Sequence, residues 1–155
     1  MLRLGLAVAV VVAAADQLVK WWAVPALAAL PRGVEVLPFF NVVLVWNRGV
    51  SFGLLGGAAL PPWLLAAFAG LVSAGLTVWL ARVNGRWPAL GIGLVIGGAL
   101  GNITDRLRFG AVADFLDFHL GVYHWPAFNV ADASISVGLA VLVIDSLLIR
   151  RENRK

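Results

Sequence analysis

The sequence predicts an all-α membrane protein: four transmembrane helices with a small extracytoplasmic β-sheet on the outer membrane surface of the bundle. Three observations carry that expectation. Charged residues make up only 13% of the chain and mean hydropathy is +0.92, which leaves too little polar surface for a water-soluble domain. Four apolar stretches reach the roughly 20 residues that a helix needs to cross about 30 Å of hydrocarbon. Between the first two, residues 34 to 46 are rich in β-branched and aromatic side chains, which favour extended structure.

Taken in order, the first span covers about residues 2 to 24. Arg3, the apolar run after it and "AAAD" at 13 to 16 imitate a cleavable secretion signal. Apolar character resumes through "LVKWWAVPALAAL", however, and cleavage would leave three spans with a basic C-terminus on the wrong side, so the segment is expected to be retained. An outer loop, about 25 to 62, opens with "ALPRGVEVLPFFNVVLVWN", where Pro31 and Gly33 mark a turn. A lone strand is unstable at a membrane surface, so a small sheet is expected there. "GLLGGAALPP" reads as a flexible connection into the second span, about 63 to 81, which holds no ionisable residue and serves as scaffold.

After the short "RVNGRWP" turn, the third span runs over about 89 to 107. Gly93, Gly97 and Gly101 place a small residue at every fourth position, a ridge that lets another helix approach closely. Asn102, Asp105 and Arg106 follow on one face near its outer end, with Asp105 expected to pair with Arg106. A second outer loop, about 108 to 129, leads to the fourth span, about 130 to 149. Residues 1 to 155 thus form a single integral-membrane domain.

The basic residues report orientation. Arg3, Arg82, Arg86, Arg150, Arg151, Arg154 and Lys155 fall on the side of both termini, against Lys20, Arg32, Arg48, Arg106 and Arg108 on the other. By the positive-inside rule the termini are cytoplasmic and both long loops face outward. No basic stripe interleaved with aromatics suggests nucleic acid. Cysteine is absent, which excludes disulfides, thiolate metal sites and a cysteine nucleophile.

Carboxylates are costly near hydrocarbon, yet Asp105, Asp114, Asp117 and Asp132 lie close together in the outer half. Asp114, in "AVADF", has apolar neighbours and no adjacent base. Asp132, in "FNVADASI", opens the fourth span, with Asn129 three residues before it and Ser136 four after. Two such carboxylates side by side would share a proton, one acting as base toward water while the other polarises a carbonyl. That division of labour hydrolyses a peptide bond without a metal or a covalent intermediate. Paired carboxylates also bind cations and relay protons, so spacing alone leaves those readings open.

Five blocks then carry a resemblance: "DQLVK" at Asp16 to Lys20, "NRGVSFG" at Asn47 to Gly53, "GGALGNITDR" at Gly97 to Arg106, "VADF" at Val112 to Phe115 and "FNVADASI" at Phe128 to Ile135. In that order, on a four-span chain, they resemble lipoprotein signal peptidase, the bacterial signal peptidase II family of aspartyl membrane proteases. The resemblance covers essentially the whole length and implies an aspartic endopeptidase. Such an enzyme removes the signal peptide of a diacylglyceryl-modified prolipoprotein just before the lipid-bearing cysteine. It implies Asp114 and Asp132 as the catalytic pair, and Asp16, Lys20, Asn47, Gly49, Asn102, Asp105, Arg106 and Asn129 as residues that support the site or bind substrate. Asp16 and Lys20, at i and i+4, can also be read as a stabilising ion pair. It implies no metal and no cofactor, a monomer in the bacterial inner membrane, and an active site toward the outer face. There the sheet and the "NRGVSFG" loop would cover the substrate.

Other features attract less. His119 and His124 are expected to be structural, since a histidine pair alone is a weak metal signal. Trp21, Trp22, Trp63, Trp87 and Trp125 read as membrane-interface anchors. Two rival classes remain beside the peptidase: a transporter or proton conductor, which should carry ionisable groups through the membrane's depth, and a metal-dependent lipid-headgroup enzyme, which chelation would expose.

Overall fold

The computed structural model describes residues 1–49 and 60–152. Residues 50–59, which hold most of the "NRGVSFG" block and of the "GLLGGAALPP" connection, lie outside the described residues, as do Arg154 and Lys155. Four helices are long and apolar enough to cross a membrane, α1 (Leu2–Ala28), α2 (Pro62–Leu80), α3 (Arg86–Phe109) and α4 (Val130–Glu152). They overlap the four expected spans, with α1, α3 and α4 each running a few residues longer. α1 continues through Pro25, α2 begins with Pro62 in its first turn, and α3 stops at Gly110, whose φ of 70° suits glycine.

α3 is the axis of the bundle. Of its most apolar stretch 56% is buried, against 17% or less for the other three, so α1, α2 and α4 present most of their surface outward to lipid. The expected glycine ridge packs against α1, and a second pair of glycines packs against α4. A methyl group at Gly93 would stand 2.5 Å from the Gly5 carbonyl oxygen and one at Gly97 2.7 Å from that of Ala9, so this row admits α1. Gly91 and Gly98 admit α4 in the same way, against Leu142 and Ala131.

Residues 34 to 47 form two strands, β1 (Val34–Leu37) and β2 (Phe40–Asn47), but the sheet draws equally on the second outer loop, through β3 (Val112–Leu120) and β4 (Tyr123–His124). The order is β1-β2-β3-β4, antiparallel throughout. Asp114 therefore stands on a strand within the second outer loop, shortly after the αL turn at Gly110. Phe115 packs with Ala23 and Leu27, which seats β3 on the last turns of α1. The alternate residues Asp114, Leu116 and Phe118 face the other way.

Candidate active site

The site forms where α1, α3, β3 and the start of α4 meet. Asn129 caps α4: its side-chain oxygen accepts from the Asp132 N–H at 2.9 Å, while its own N–H donates to Asp132 Oδ2 at 3.3 Å. The same asparagine donates Nδ2 to Asp114 Oδ1 at 2.7 Å. One fully buried side chain thus holds both aspartates, one from a strand and one from the first turn of a helix. Asn102 supports the second of them, donating Nδ2 to Asp132 Oδ1 at 2.7 Å.

Behind this pair lies a buried charged cluster. Lys20 Nζ stands 2.9 Å from Asp16 Oδ2 and 2.8 Å from Asp105 Oδ2, and 3.4 Å from Asn102 Oδ1. The anions are further satisfied by the backbone: Asp16 accepts from Ala131 N–H at 3.0 Å and Asp105 from Ala113 N–H at 3.1 Å. Those two bonds tie α1 to the start of α4 and α3 to β3, so the cluster positions the elements that carry Asp132 and Asp114. A methyl at Gly101 would lie 2.5 Å from Asp16 Oδ2, which is why that helix position is glycine.

Asp105 is consequently not the partner of Arg106. Adjacent helix residues point about 100° apart; Asp105 turns to Lys20, while Arg106 reaches back to the Asn102 carbonyl at 3.4 Å. The buried Arg106 Nε has no hydrogen-bond partner among the described residues. Gln17, which the sequence reading passed over, joins Asp16, Asp105 and the Gly101 carbonyl through Nε2 at 3.2, 2.9 and 3.2 Å. Its position between Asp16 and Lys20 in "DQLVK" was the available signal. Asn47 accepts from the Gly49 N–H at 2.8 Å, a turn in which Gly49 has a φ of 76° and only glycine is unstrained.

Burial pushes the Asp114 carboxyl up to about 6. The Asn47 and Asn129 amides pull it down, and the charge of Asp132 pushes it up further. Asp117, which the sequence groups with these acids, belongs elsewhere. It takes His124 Nδ1 at 2.9 Å and Asn41 Nδ2 at 3.0 Å, on the face of β3 opposite Asp114. Burial works to raise its carboxyl, but the bonds from His124 and Asn41 outweigh that and hold it below its ordinary range. His119 stacks on His124, with ring centroids 4.8 Å apart, as a structural pair. Asp145 sits toward the far end of α4 beside Trp87, Val141 and Ile144, remote from Asp132. Among the described residues no group of three or more His, Cys, Asp or Glu gathers as a metal site would require.

The chain is similar to known proteins over most of its length. The profile of the family described as signal peptidase (SPase) II matches residues 8–148. The lipoprotein signal peptidase of Rhizorhabdus wittichii is 45% identical over 150 residues, covering 95% of this chain and 87% of that protein. That of Rhodopseudomonas palustris is 41% identical over 152 residues, covering 94% and 93%. A bacterial membrane enzyme solved by the in meso method at 2.3 Å superposes with a TM-score of 0.81 at 28% identity, over 97% of this chain and 91% of the other.

Proposed function

The chain belongs to the signal peptidase II family of aspartic proteases, which remove signal peptides from prolipoproteins, and from that premise we propose that Asp114 and Asp132 are its catalytic pair. The observation that carries the proposal is Asn129, whose amide holds Asp114 while its backbone and side-chain oxygen cap Asp132. The substrate is a prolipoprotein whose cysteine already bears a diacylglyceryl group, cleaved just before that cysteine.

The two carboxyls divide the work. Asp114, raised by burial, carries the shared proton. Asp132 serves as the base, accepting from the Asn102 amide at the N-terminus of α4, whose dipole favours an anion. Asp132 takes a proton from water as the water oxygen attacks the scissile carbonyl, and Asp114 gives its proton to the carbonyl oxygen, leaving a neutral gem-diol. Collapse of the diol returns a hydroxyl proton to Asp114 while Asp132 passes its proton to the leaving nitrogen as the C–N bond breaks. Both carboxyls are thereby restored. Arg106, whose Nε has no partner among the described residues, is a donor that can meet a substrate carbonyl beside the pair.

The enzyme works as a monomer in the inner membrane without metal or cofactor, with cytoplasmic termini and the pair at the outer surface. The distribution of arginine and lysine supports that orientation. Single-turnover cleavage of a diacylglyceryl-modified prolipoprotein tests the assignment. At matched folded concentration, Asp114→Asn and Asp132→Asn should each lose cleavage while retaining lipopeptide binding, and the double variant should be little worse than either. The wild type should turn over unchanged in excess chelator. Robust cleavage by either single variant would sink the pair.

A further inference from the structure

The end of the bundle opposite the carboxylate pair holds charges that the reaction does not use. Asp16, Gly101 and Ala131 meet near the pair, where Asp16 accepts from Ala131 N–H at 3.0 Å and leaves no room for a methyl at Gly101. Counted from that level at 1.5 Å per residue, Arg3 stands about 20 Å away on α1, Arg86 about 22 Å on α3 and Asp145 about 21 Å on α4. Three helices thus bring two guanidinium groups and a carboxylate to one depth. Among the described residues none of the three has a salt-bridge partner.

Between the two levels α1 and α4 stand apart, with α3 as the floor. Ala7 and Val11 face Leu90, Leu94 and Val141 across a cavity of about 520 Å³. Trp87 and Val141 divide it from a second hollow of about 300 Å³, walled by Ile144, Leu148 and Asp145. Arg3, Ala7 and Val11 follow one another at every fourth position, as do Arg86, Leu90 and Leu94, so each arginine ends a stripe that lines the groove. From Arg3 to Val12 and from Arg86 to Leu94 these walls run about 12–14 Å, close to the roughly 15 Å of hydrocarbon in one leaflet. Apolar side chains are ordinary on a membrane helix; a double hollow that ends in charges of both signs is not.

We propose that this groove binds one phospholipid whose headgroup carries a primary ammonium. Its acyl chains fill the hollows on either side of Trp87, Arg3 and Arg86 hold the phosphate, and the ammonium meets Asp145. The first-turn N–H groups of α3, which take no side-chain cap, add donors on the phosphate side. Asp145 sets the choice of headgroup. A carboxylate beside hydrocarbon is costly without a cation; an anionic lipid brings none, and a quaternary amine brings charge without an N–H donor. In the proposed orientation the site lies in the cytoplasmic leaflet, where the lipid fills the gap between α1 and α4 while Asp16 joins them at the other end.

The intact protein, delipidated in detergent and titrated with dioleoyl phosphatidylethanolamine, phosphatidylcholine or phosphatidylglycerol, provides the test by native mass spectrometry. The wild type should retain one phosphatidylethanolamine at least about fivefold more tightly than either other lipid. Asp145→Asn should erase that preference and Asp145→Glu should keep it. Arg86→Gln should weaken all three lipids alike, and Leu90→Trp, which fills the larger hollow, should do the same without altering their ranking. Equal retention of the three lipids by the wild type, a preference for phosphatidylglycerol, or a preference unchanged in Asp145→Asn would overturn the proposal.

Discussion

Burial lifts the Asp114 carboxyl to about 6, so it keeps its proton below that pH and surrenders it above. Because the reaction needs that proton, kcat/KM should fall as pH rises through about 6. The hydrogen bond from Asn129 favours the charged form of Asp114. Asn129→Ala should therefore move the alkaline limb upward while lowering the rate, and a limb that stays in place would detach Asn129 from the titrating group. Asp145 gives the contrast. It lies thirteen residues beyond Asp132 on one helix, about 20 Å deeper at 1.5 Å per residue. Asp145→Asn should keep most of its activity; a correctly inserted variant that binds but cannot cleave would remove the chemistry from the outer end. At this scale the sequence was informative wherever a short motif carried the residue, as with Asp114, Asp132 and Asn129. It was silent on partners that meet only in the fold: Lys20 and Asp105 are far apart along the chain, and adjacency made Arg106 look like the natural mate.

Helices were easier to read than strands. Each span is a long apolar run set by the thickness of hydrocarbon, and its ends follow from Pro62, Gly110 and the Asn129 cap. β1 and β2 were legible from their β-branched and aromatic content, whereas β3 was not. "VADFLDFHL" places polar residues on both faces, because one face serves the carboxylate pair and the other the Asp117–His124 contact, and a strand so used shows no clean alternation. The buried cluster of Lys20, Asp16 and Asp105 ties these elements together. Lys20→Met leaves two buried carboxylates without their cation and should cost about 3–5 kcal/mol, seen as a lower midpoint of thermal unfolding in detergent. Asp105→Asn removes one anion but keeps the side chain's shape and an oxygen toward Ala113 N–H. It should destabilise less than Lys20→Met, and reduce turnover through loss of folded enzyme before it affects the chemical step.

At the level of the whole molecule, α3 forms the axis and the sheet lies at one end, on the turns of α1 that hold Ala23 and Leu27. The chain has no cysteine, so single substitutions report sidedness without background. A cysteine at Val122 should react with a membrane-impermeant maleimide in intact spheroplasts, and one at Asn84 only after permeabilisation. The reverse pattern would invert the topology. The pairing of Lys20 with Asp16 also bears on how such a protein is made. α1 leaves the ribosome first and must partition into lipid before α3 exists to supply Asp105. Asp16 and Lys20 stand one helical turn apart and 2.9 Å from each other, so the nascent helix enters with its polar pair already matched. α3 then arrives with a lone aspartate that finds the ammonium already waiting. The order of the genetic message thus matches the order in which charge can be brought below the membrane surface, and a gene rearranged to translate α3 ahead of α1 would ask the insertion machinery to bury an orphan anion.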